Sequence, residues 1–137
     1  MFDLSIQNER VVITDVQGGQ EFELIHYIRR PTTAEFIQYN RRLTETKATG
    51  KRLSFEFRRV EAGQWLYDQL ISNVENYSWK GKDITKLTDS ELKSLGVRSW
   101  KDLVPLPHKL EVVEFILRPS ILSAEAVEEL GESSEES

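Results

Sequence analysis

The segment from Trp79 to Leu117 constrains the fold more than any other, because it predicts two helices separated by a proline-containing elbow. Thr88 can accept a hydrogen bond from the backbone of Glu91, whose side chain can bond the Thr88 amide in return. This pattern is the capping box of a helix N-terminus. Gly96 is placed to end that helix, because glycine adopts the left-handed backbone of a helix C-terminus at little cost. The segment is typical of a docking module.

Two prolines define the elbow between these helices. Pro105 and Pro107 disfavour helix in the linker, and Pro107 suits the first turn of a second helix that ends at Arg118-Pro119. We expect the elbow and this last helix to contact a partner protein, for example an apolar helix lying in a groove. The candidate contacts are Trp100, Leu103, Leu106, His108 and Lys109, and the edges of Leu110, Val113 and Leu117 would line the groove.

The first thirty residues predict an antiparallel, three-stranded meander. Apolar residues alternate with polar ones in residues 2–6, 10–16 and 20–28, which is the period of a half-buried strand. The turn at 17–19 contains two glycines, which accept the positive φ angles of a tight hairpin. We therefore expect this hairpin to join the second and third strands.

Helices are predicted to follow the sheet. Thr32 and Glu35 form a second capping box, which opens a helix that runs to about Thr46. A further helix is predicted over Val60–Val74, while residues 52–59 fit either a strand or the start of that helix. The fold class is therefore α+β, with a sheet first and about four helices after it. Loops are predicted at 47–51 and 76–83.

Length and charge predict one domain and an acidic tail. The 137 residues suit a single domain with its own core. The net charge of −5 is uneven, because residues 1–118 hold 18 bases and 17 acids, whereas residues 119–137 hold six glutamates and no base. We expect residues 1–118 to form the domain. Residues 119–137 are expected to be a flexible, disordered tail that keeps the protein soluble, acts as a linker, or touches a basic partner.

Motifs that carry chemistry are missing from the sequence. There is no cysteine, which excludes disulfides and thiolate metal sites, and the two histidines lack metal-binding spacing. Gly18-Gly19 lies between two strands instead of ahead of a helix, so it does not predict a phosphate loop. No serine stands in a nucleophile motif such as GxSxG. We expect a protein that is not an enzyme and has no cofactor and no metal.

The sequence also lacks a signal peptide and an apolar run long enough to span a membrane. We therefore expect a soluble, cytoplasmic protein that does not bind membranes.

The histidines and tryptophans have alternative interpretations. His26 falls on the apolar phase of a strand and is expected to be a partly buried packing residue, while His108 is expected to bond locally or lie in solvent. Trp65 lies on the apolar stripe of a helix and is expected in the core. Trp79 and Trp100 flank the capped helix, where an indole either closes the core or anchors a partner.

Residues 29–59 hold nine bases and three acids, an excess of six positive charges. With interleaved aromatic residues, such a face could bind nucleic acid. The aromatic residues fall on the apolar phase of their elements, which equally favours a core with a basic outer surface. The candidate basic face consists of Arg41, Arg42, Arg52, Arg58 and Arg59.

The stretch GKDITKLTDSELKSLGV, followed by HKLEVVEFIL, resembles the second half of a sterile alpha motif domain. That resemblance covers residues 81–117 and implies a helical protein-interaction domain.

A second resemblance spans more of the chain. The features that carry this resemblance are a β-hairpin that ends in Arg-Pro-Thr, a Leu-Tyr-Asp-x-Leu helix at 66–70, a Val-Glu-x-Tyr at 74–77 and a proline-led His-Lys start to the last helix. In these features the chain is similar to small phage or prophage tail proteins of the tail assembly chaperone type. This resemblance implies binding to the tape-measure and tail-tube proteins without catalysis. It transfers no functional residue, because the shared positions look structural.

Overall fold

A long β-hairpin opens the part of the chain that the computed structural model describes, which is Met1, residues 8–44 and residues 55–118. Strands β1 (Asn8–Gln17) and β2 (Gln20–Arg29) pair antiparallel along their full length. Gly18 and Gly19 form the turn with φ angles of 61° and 77°, the positive values that a two-residue hairpin requires. The predicted hairpin is confirmed.

Strand β3 (Ile71–Glu75) completes a three-stranded antiparallel sheet with the order β1-β2-β3. The prediction of such a sheet is confirmed, but its third strand comes late in the chain and lies on the far edge of β2. The predicted strand at residues 2–6 lies outside the described residues. β3 also corrects the predicted helix over Val60–Val74, because helix α2 spans Phe55–Leu70 and ends where β3 begins.

A register shift in the sheet explains why residues 71–74 resemble a helix in the sequence. Ile71 and Val74 are both buried although they are three residues apart, a helical spacing. In β3 they face the same side because the pairing with β2 shifts between Tyr27 and Ile28. The ambiguous residues 55–59 belong to α2, so the strand alternative is wrong for them, and residues 52–54 lie outside the described residues.

The described residues contain four α-helices, which confirms the α+β fold class. Besides α2 they are α1 (Thr33–Thr44), α3 (Asp89–Ser94) and α4 (106–118). Both predicted capping boxes are present, at Thr32 with Glu35 and at Thr88 with Glu91. Gly96 has the expected positive φ. The predicted helix end at 45–46, the loop at 47–51 and the tail at 119–137 lie outside the described residues.

The segment predicted as a loop at 76–83 contains a small second hairpin. Strands β4 (Ser78–Trp79) and β5 (Lys82–Asp83) pair antiparallel across a two-residue turn. Lys80 and Gly81 both have positive φ angles in that turn. The loop prediction is therefore corrected to a tight hairpin followed by a 3-10 turn at Ile84–Lys86.

The core lies between one face of the sheet and the helices α2 and α4. Val11, Leu24 and Ile28 represent the sheet in this cluster, and burial of such apolar area is the main stabilising term in folding. Gly63 of α2 faces Leu110 of α4 so closely that a Cβ there would lie 2.5 Å from the Leu110 Cδ2 atom. A larger residue at position 63 would therefore require the Leu110 side chain to move.

Helix α1 contributes no buried residue, although Tyr39 packs against the core, and charged side chains also attach it. Arg29 donates two hydrogen bonds to the Glu35 carboxylate, at 2.6 and 2.8 Å. This bidentate contact, helped by Thr32, lowers the pKa of Glu35 to about 2. Arg42 lies over the Trp65 ring at 4.5 Å from its centre.

A buried ion pair joins α4 to α2. Lys109 is only 1% exposed, and its Nζ atom lies 2.9 Å from Asp68 Oδ1. Lys109 was expected at a partner surface, so this placement is a correction: its ammonium group is committed to an internal partner. None of the described helices is long and apolar enough to cross a membrane.

We expect Asp68→Ala to lower the free energy of unfolding by roughly 3 kcal/mol, because it leaves a buried ammonium group without its counter-ion. Lys109→Met should cost less, since the Asp68 side chain is 30% exposed and keeps contact with water. Urea denaturation measures both values. The exposed Glu21→Ala is the control and should change stability by less than about 0.5 kcal/mol. A loss for Asp68→Ala as small as that of the control would contradict this role.

Candidate functional site

Both histidines of the chain lie in one continuous series of side-chain hydrogen bonds, here called the relay. Its members, in order, are Tyr67, His26, Tyr77, His108 and Asp15. The distances are 2.8 Å from Tyr67 Oη to His26 Nδ1, 2.8 Å from His26 Nε2 to Tyr77 Oη, 2.9 Å from Tyr77 Oη to His108 Nδ1, and 2.6 Å from His108 Nε2 to Asp15 Oδ2. The relay runs from the core to the surface.

Each member of the relay comes from a different element. His26 points into the core from β2 because it shares the inward phase of Leu24 and Ile28. Tyr67 lies on the buried face of α2, and Tyr77 follows β3. His108 occupies the first turn of α4, where its backbone amide donates to the carbonyl of Pro105 at 3.0 Å.

The positions of the hydrogen atoms in the relay can be assigned by starting from the Asp15 carboxylate. The Asp15 carboxylate can only accept, so His108 donates through Nε2 and accepts at Nδ1 from the Tyr77 hydroxyl. Tyr77 then accepts from His26 Nε2, and His26 Nδ1 accepts from Tyr67. The opposite direction would leave the Tyr67 hydroxyl hydrogen buried without an acceptor in the relay. His26 is therefore neutral in this arrangement, with its proton on Nε2.

Burial and the relay shift the pKa values of its members. Burial, with a smaller effect of His108, lowers the pKa of His26 from 6.5 to about 4. Burial likewise raises the pKa of both Tyr67 and Tyr77 above the ordinary phenol value. The hydrogen bond from His108, followed by that from the Val16 amide, lowers the pKa of Asp15. These directions keep both tyrosines and His26 neutral and Asp15 ionised at neutral pH.

The exposed end of the relay opens into a cleft of about 520 Å³. The cleft is lined by the end of the β1–β2 hairpin, by the β4–β5 hairpin with the residues on either side of it, and by the elbow before α4. Its polar lining includes Asp15, Tyr77 and His108. Its apolar lining includes Val16, Phe22, Trp79, Leu103 and Pro105. Val16 is 62% exposed and Trp79 is 42% exposed, so apolar surface faces solvent here.

The predicted contact residues are divided by the structure. Leu103 and His108 line the cleft together with Pro105 of the elbow. Trp100 is half-buried against the core, and Leu106 is half-buried in the first turn of α4. Lys109 faces the interior. The groove predicted along α4 is also wrong, because Val113 and Leu117 belong to the core.

The histidine predictions are corrected in the same way. His26 is fully buried and makes two side-chain hydrogen bonds, so it is a structural polar residue of the core. His108 is also buried, and it bonds to residues 31 and 93 positions away in the sequence instead of locally or to solvent. Both ring nitrogens of each histidine are therefore occupied.

The three tryptophans lie in two environments, the edge of the core and the cleft. Trp65 and Trp100 are partly buried against the core, which is the core interpretation for both. Trp79 is the one whose indole lines the cleft. The alternative of a partner anchor is therefore open for Trp79 only, among these three residues.

Two of the four described residues of the basic face form ion pairs within the protein. Arg59 forms an ion pair with Glu56 and Arg42 pairs with Glu61, as Arg29 does with Glu35. Arg41 is exposed, Arg58 is half-buried, and Arg52 lies outside the described residues. Internal ion pairs reduce the positive charge that a polyanion could use.

Sequence reasoning missed Asp15, Tyr67 and Tyr77. A signal existed for the tyrosines, because a histidine on the inward phase of a strand needs hydrogen-bond partners and tyrosine hydroxyls can reach into a core. No sequence pattern indicates the role of Asp15, since its partner His108 lies 93 positions away in the chain. Within the described residues, no three His, Asp or Glu side chains are grouped to hold a metal ion.

No protein-family model matches the sequence, and no curated protein or solved structure shows significant similarity to it. Functional conclusions therefore rest on the geometry of the relay and the cleft and on the sequence patterns.

We expect Tyr77→Phe to destabilise the protein more than Tyr67→Phe. Loss of the Tyr77 hydroxyl leaves the buried His26 Nε2–H without an acceptor and His108 Nδ1 without a donor, which should cost about 2 to 3 kcal/mol. Loss of the Tyr67 hydroxyl leaves only one acceptor unpaired and should cost about 1 kcal/mol. Chemical denaturation at pH 7 compares the two variants. Equal losses would contradict the central place of Tyr77.

Stability should fall as the pH drops from 8 to 5. The folded protein keeps His26 neutral with a pKa of about 4, whereas the unfolded chain takes up the proton near 6.5. The stabilisation is complete above pH 6.5 and is lost as the pH falls toward 4, by about 2 kcal/mol at pH 5. Carboxylates with lowered pKa values, such as Glu35, contribute chiefly below this window. Urea denaturation of the wild type and His26→Gln tests this, and an equal slope in both would contradict it.

Proposed function

We propose that this chain is a non-catalytic, protein-binding module that receives an apolar segment of a partner in the cleft beside the elbow. The main support for this proposal is the cleft itself, because Val16 and Trp79 at its rim are exposed to solvent. Exposed apolar side chains around a concave surface are characteristic of protein-binding sites. We further propose that the module acts in phage or prophage tail assembly in the cytoplasm.

The lining of the cleft suits the side chains of a partner. Phe22, Leu103 and Pro105 form apolar walls, and a volume of about 520 Å³ lies within the range of small-molecule and side-chain pockets. A protruding aromatic or aliphatic residue would bury area against these walls. Trp79 is the candidate hot spot, because tryptophan gains more than most residues from full burial at an interface.

The walls of the cleft are held in place before any partner arrives. The bond from His108 to Asp15 ties the end of β1 to the first turn of α4. Pro105 restricts the backbone of the elbow between them. A pre-ordered site loses less conformational entropy on binding than a mobile one, which favours affinity. This supports a docking role for the elbow, although the contacts differ from those predicted from the sequence.

The resemblance to tail assembly chaperones supports the choice of partner. Proteins of that type bind the tape-measure protein, a long helical polypeptide, and the tail-tube subunit. An apolar helix face of the tape-measure protein offers the side chains that the cleft can receive. The function proposed is therefore to hold such segments during tail assembly.

Co-expression with the tape-measure protein of the same genome tests this proposal. We expect a complex on size-exclusion chromatography, and at least a tenfold loss of affinity for Trp79→Ala and Val16→Asp, because both changes remove apolar contact from the rim. Calorimetric titration measures the affinities. Both residues are exposed, so thermal unfolding should change little.

Phe115→Ala provides the matched control. Phe115 is 48% exposed on α4 and does not line the cleft, so its variant should bind like the wild type. Loss of binding in Phe115→Ala with normal binding in Trp79→Ala would move the docking site to α4. No complex with either the tape-measure or the tail-tube protein would refute the tail-assembly assignment.

A further inference from the structure

A cation, an aromatic ring and a carboxylate come together where α1 meets α2. The Arg42 guanidinium carbon lies 4.5 Å from the centre of the Trp65 ring. An Arg42 Nη1 atom also lies 4.0 Å from Glu61 Oε1. The ring and the carboxylate both belong to α2, and the cation comes from α1. Such a contact combines a cation–π interaction with an ion pair.

The same combination occurs where α4 meets α2. Lys109 Nζ lies 5.4 Å from the centre of the Tyr67 ring and 2.9 Å from Asp68 Oδ1. Again the ring and the carboxylate belong to α2, and the cation is supplied by the helix that packs on it. Two helices of this protein therefore use one recognition pattern to attach to a third.

The cleft presents two parts of this pattern. Asp15 supplies a carboxylate whose side chain is 59% exposed, and Trp79 supplies an exposed ring in the same cleft. Within the described residues, no lysine or arginine forms an ion pair with Asp15. A cation from outside the described residues would complete the set.

The Asp15 carboxylate is oriented for such a contact. Its Oδ2 accepts from His108 at 2.6 Å and its Oδ1 accepts from the Val16 amide at 2.8 Å. Each oxygen can accept a further hydrogen bond, because a carboxylate has about four acceptor positions. The ionised Asp15 carboxylate places a negative charge in the lining of the cleft. That charge favours a cationic ligand over an anionic one.

We propose that the cleft recognises a single arginine or lysine side chain of the partner segment, with its head group at Asp15 and its hydrocarbon stem against Trp79 and Val16. The proposal rests on the proposed function, since it names a residue of the partner that the same cleft receives. Long basic side chains match this lining, because they join an apolar stem to a charged tip. Arginine fits best, since its planar head group stacks on aromatic rings and forms forked hydrogen bonds to carboxylates.

Binding of an uncharged side chain next to Asp15 would be less favourable. A purely apolar side chain that covered Asp15 would remove water from an ionised carboxylate without replacing its hydrogen bonds. A phosphate or carboxylate group would be repelled by the charge of Asp15. The chemistry of the cleft therefore selects an amphipathic cation.

Two small probes that differ only in charge separate these cases. n-Pentylguanidinium carries the apolar stem and the cationic head, and n-pentylurea is its neutral isostere. Titrations of the full chain are followed by NMR at the Trp79 indole N–H. We expect both probes to shift this signal and n-pentylguanidinium to bind about fivefold more tightly, the effect of a partly exposed ion pair with Asp15.

Asp15→Asn should abolish the difference between the two probes. Asparagine keeps an oxygen that accepts from His108 while it removes the charge. Glu21→Gln is the matched control, because Glu21 pairs with Val16 across the hairpin and is exposed but does not line the cleft. This control should keep the fivefold preference, and loss of the preference there would assign it to overall charge and overturn the proposal.

Two further outcomes distinguish cation recognition from apolar docking in the cleft. Equal affinity of the wild type for the two probes would overturn the recognition of a cation and leave apolar docking in place. The absence of any Trp79 shift with either probe would overturn apolar docking in the cleft together with cation recognition.

Discussion

The burial of His26 in the core is the constraint on which the rest of the structure depends. A fully buried imidazole must satisfy both ring nitrogens, since an unpaired buried polar group costs more than a hydrogen bond gains. Tyr67 of α2 satisfies one nitrogen and Tyr77, which follows β3, satisfies the other. These hydrogen bonds fix the positions of the sheet, α2 and the β3–β4 connection relative to one another. Apolar packing contributes as well, but by itself it would define these positions less uniquely.

The same constraint reaches the surface through Tyr77. Its hydroxyl also bonds His108 at the start of α4, and His108 bonds Asp15 at the end of β1. A requirement of the core thus fixes the elbow and the hairpin that form two walls of the cleft. The cleft consequently has walls that these hydrogen bonds join, and it presents one oriented carboxylate.

Local features were predictable from the sequence. The Thr88–Glu91 capping box and the Gly18-Gly19 turn depend on residues within a few positions of each other, and both form as expected. The assignment of residues 71–74 failed because a register shift gives the strand a helical spacing of buried residues. The placement of Lys109 at a partner surface failed because Asp68, which lies 41 positions earlier, holds its ammonium group inside. For the candidate site, sequence reasoning found Leu103 and His108 but missed the rest of the relay.

The sequence by itself determined the α+β class, the hairpin, the helix caps and the proline elbow, because each follows from backbone preferences and short-range hydrogen bonds. Only the tertiary structure decided which polar groups meet. The four bonds of the relay span 41, 51, 31 and 93 residues, and nothing local to any one member specifies the others. The cleft arises from these distant contacts, since its lining comes from residues 15–24, 76–84 and 103–108.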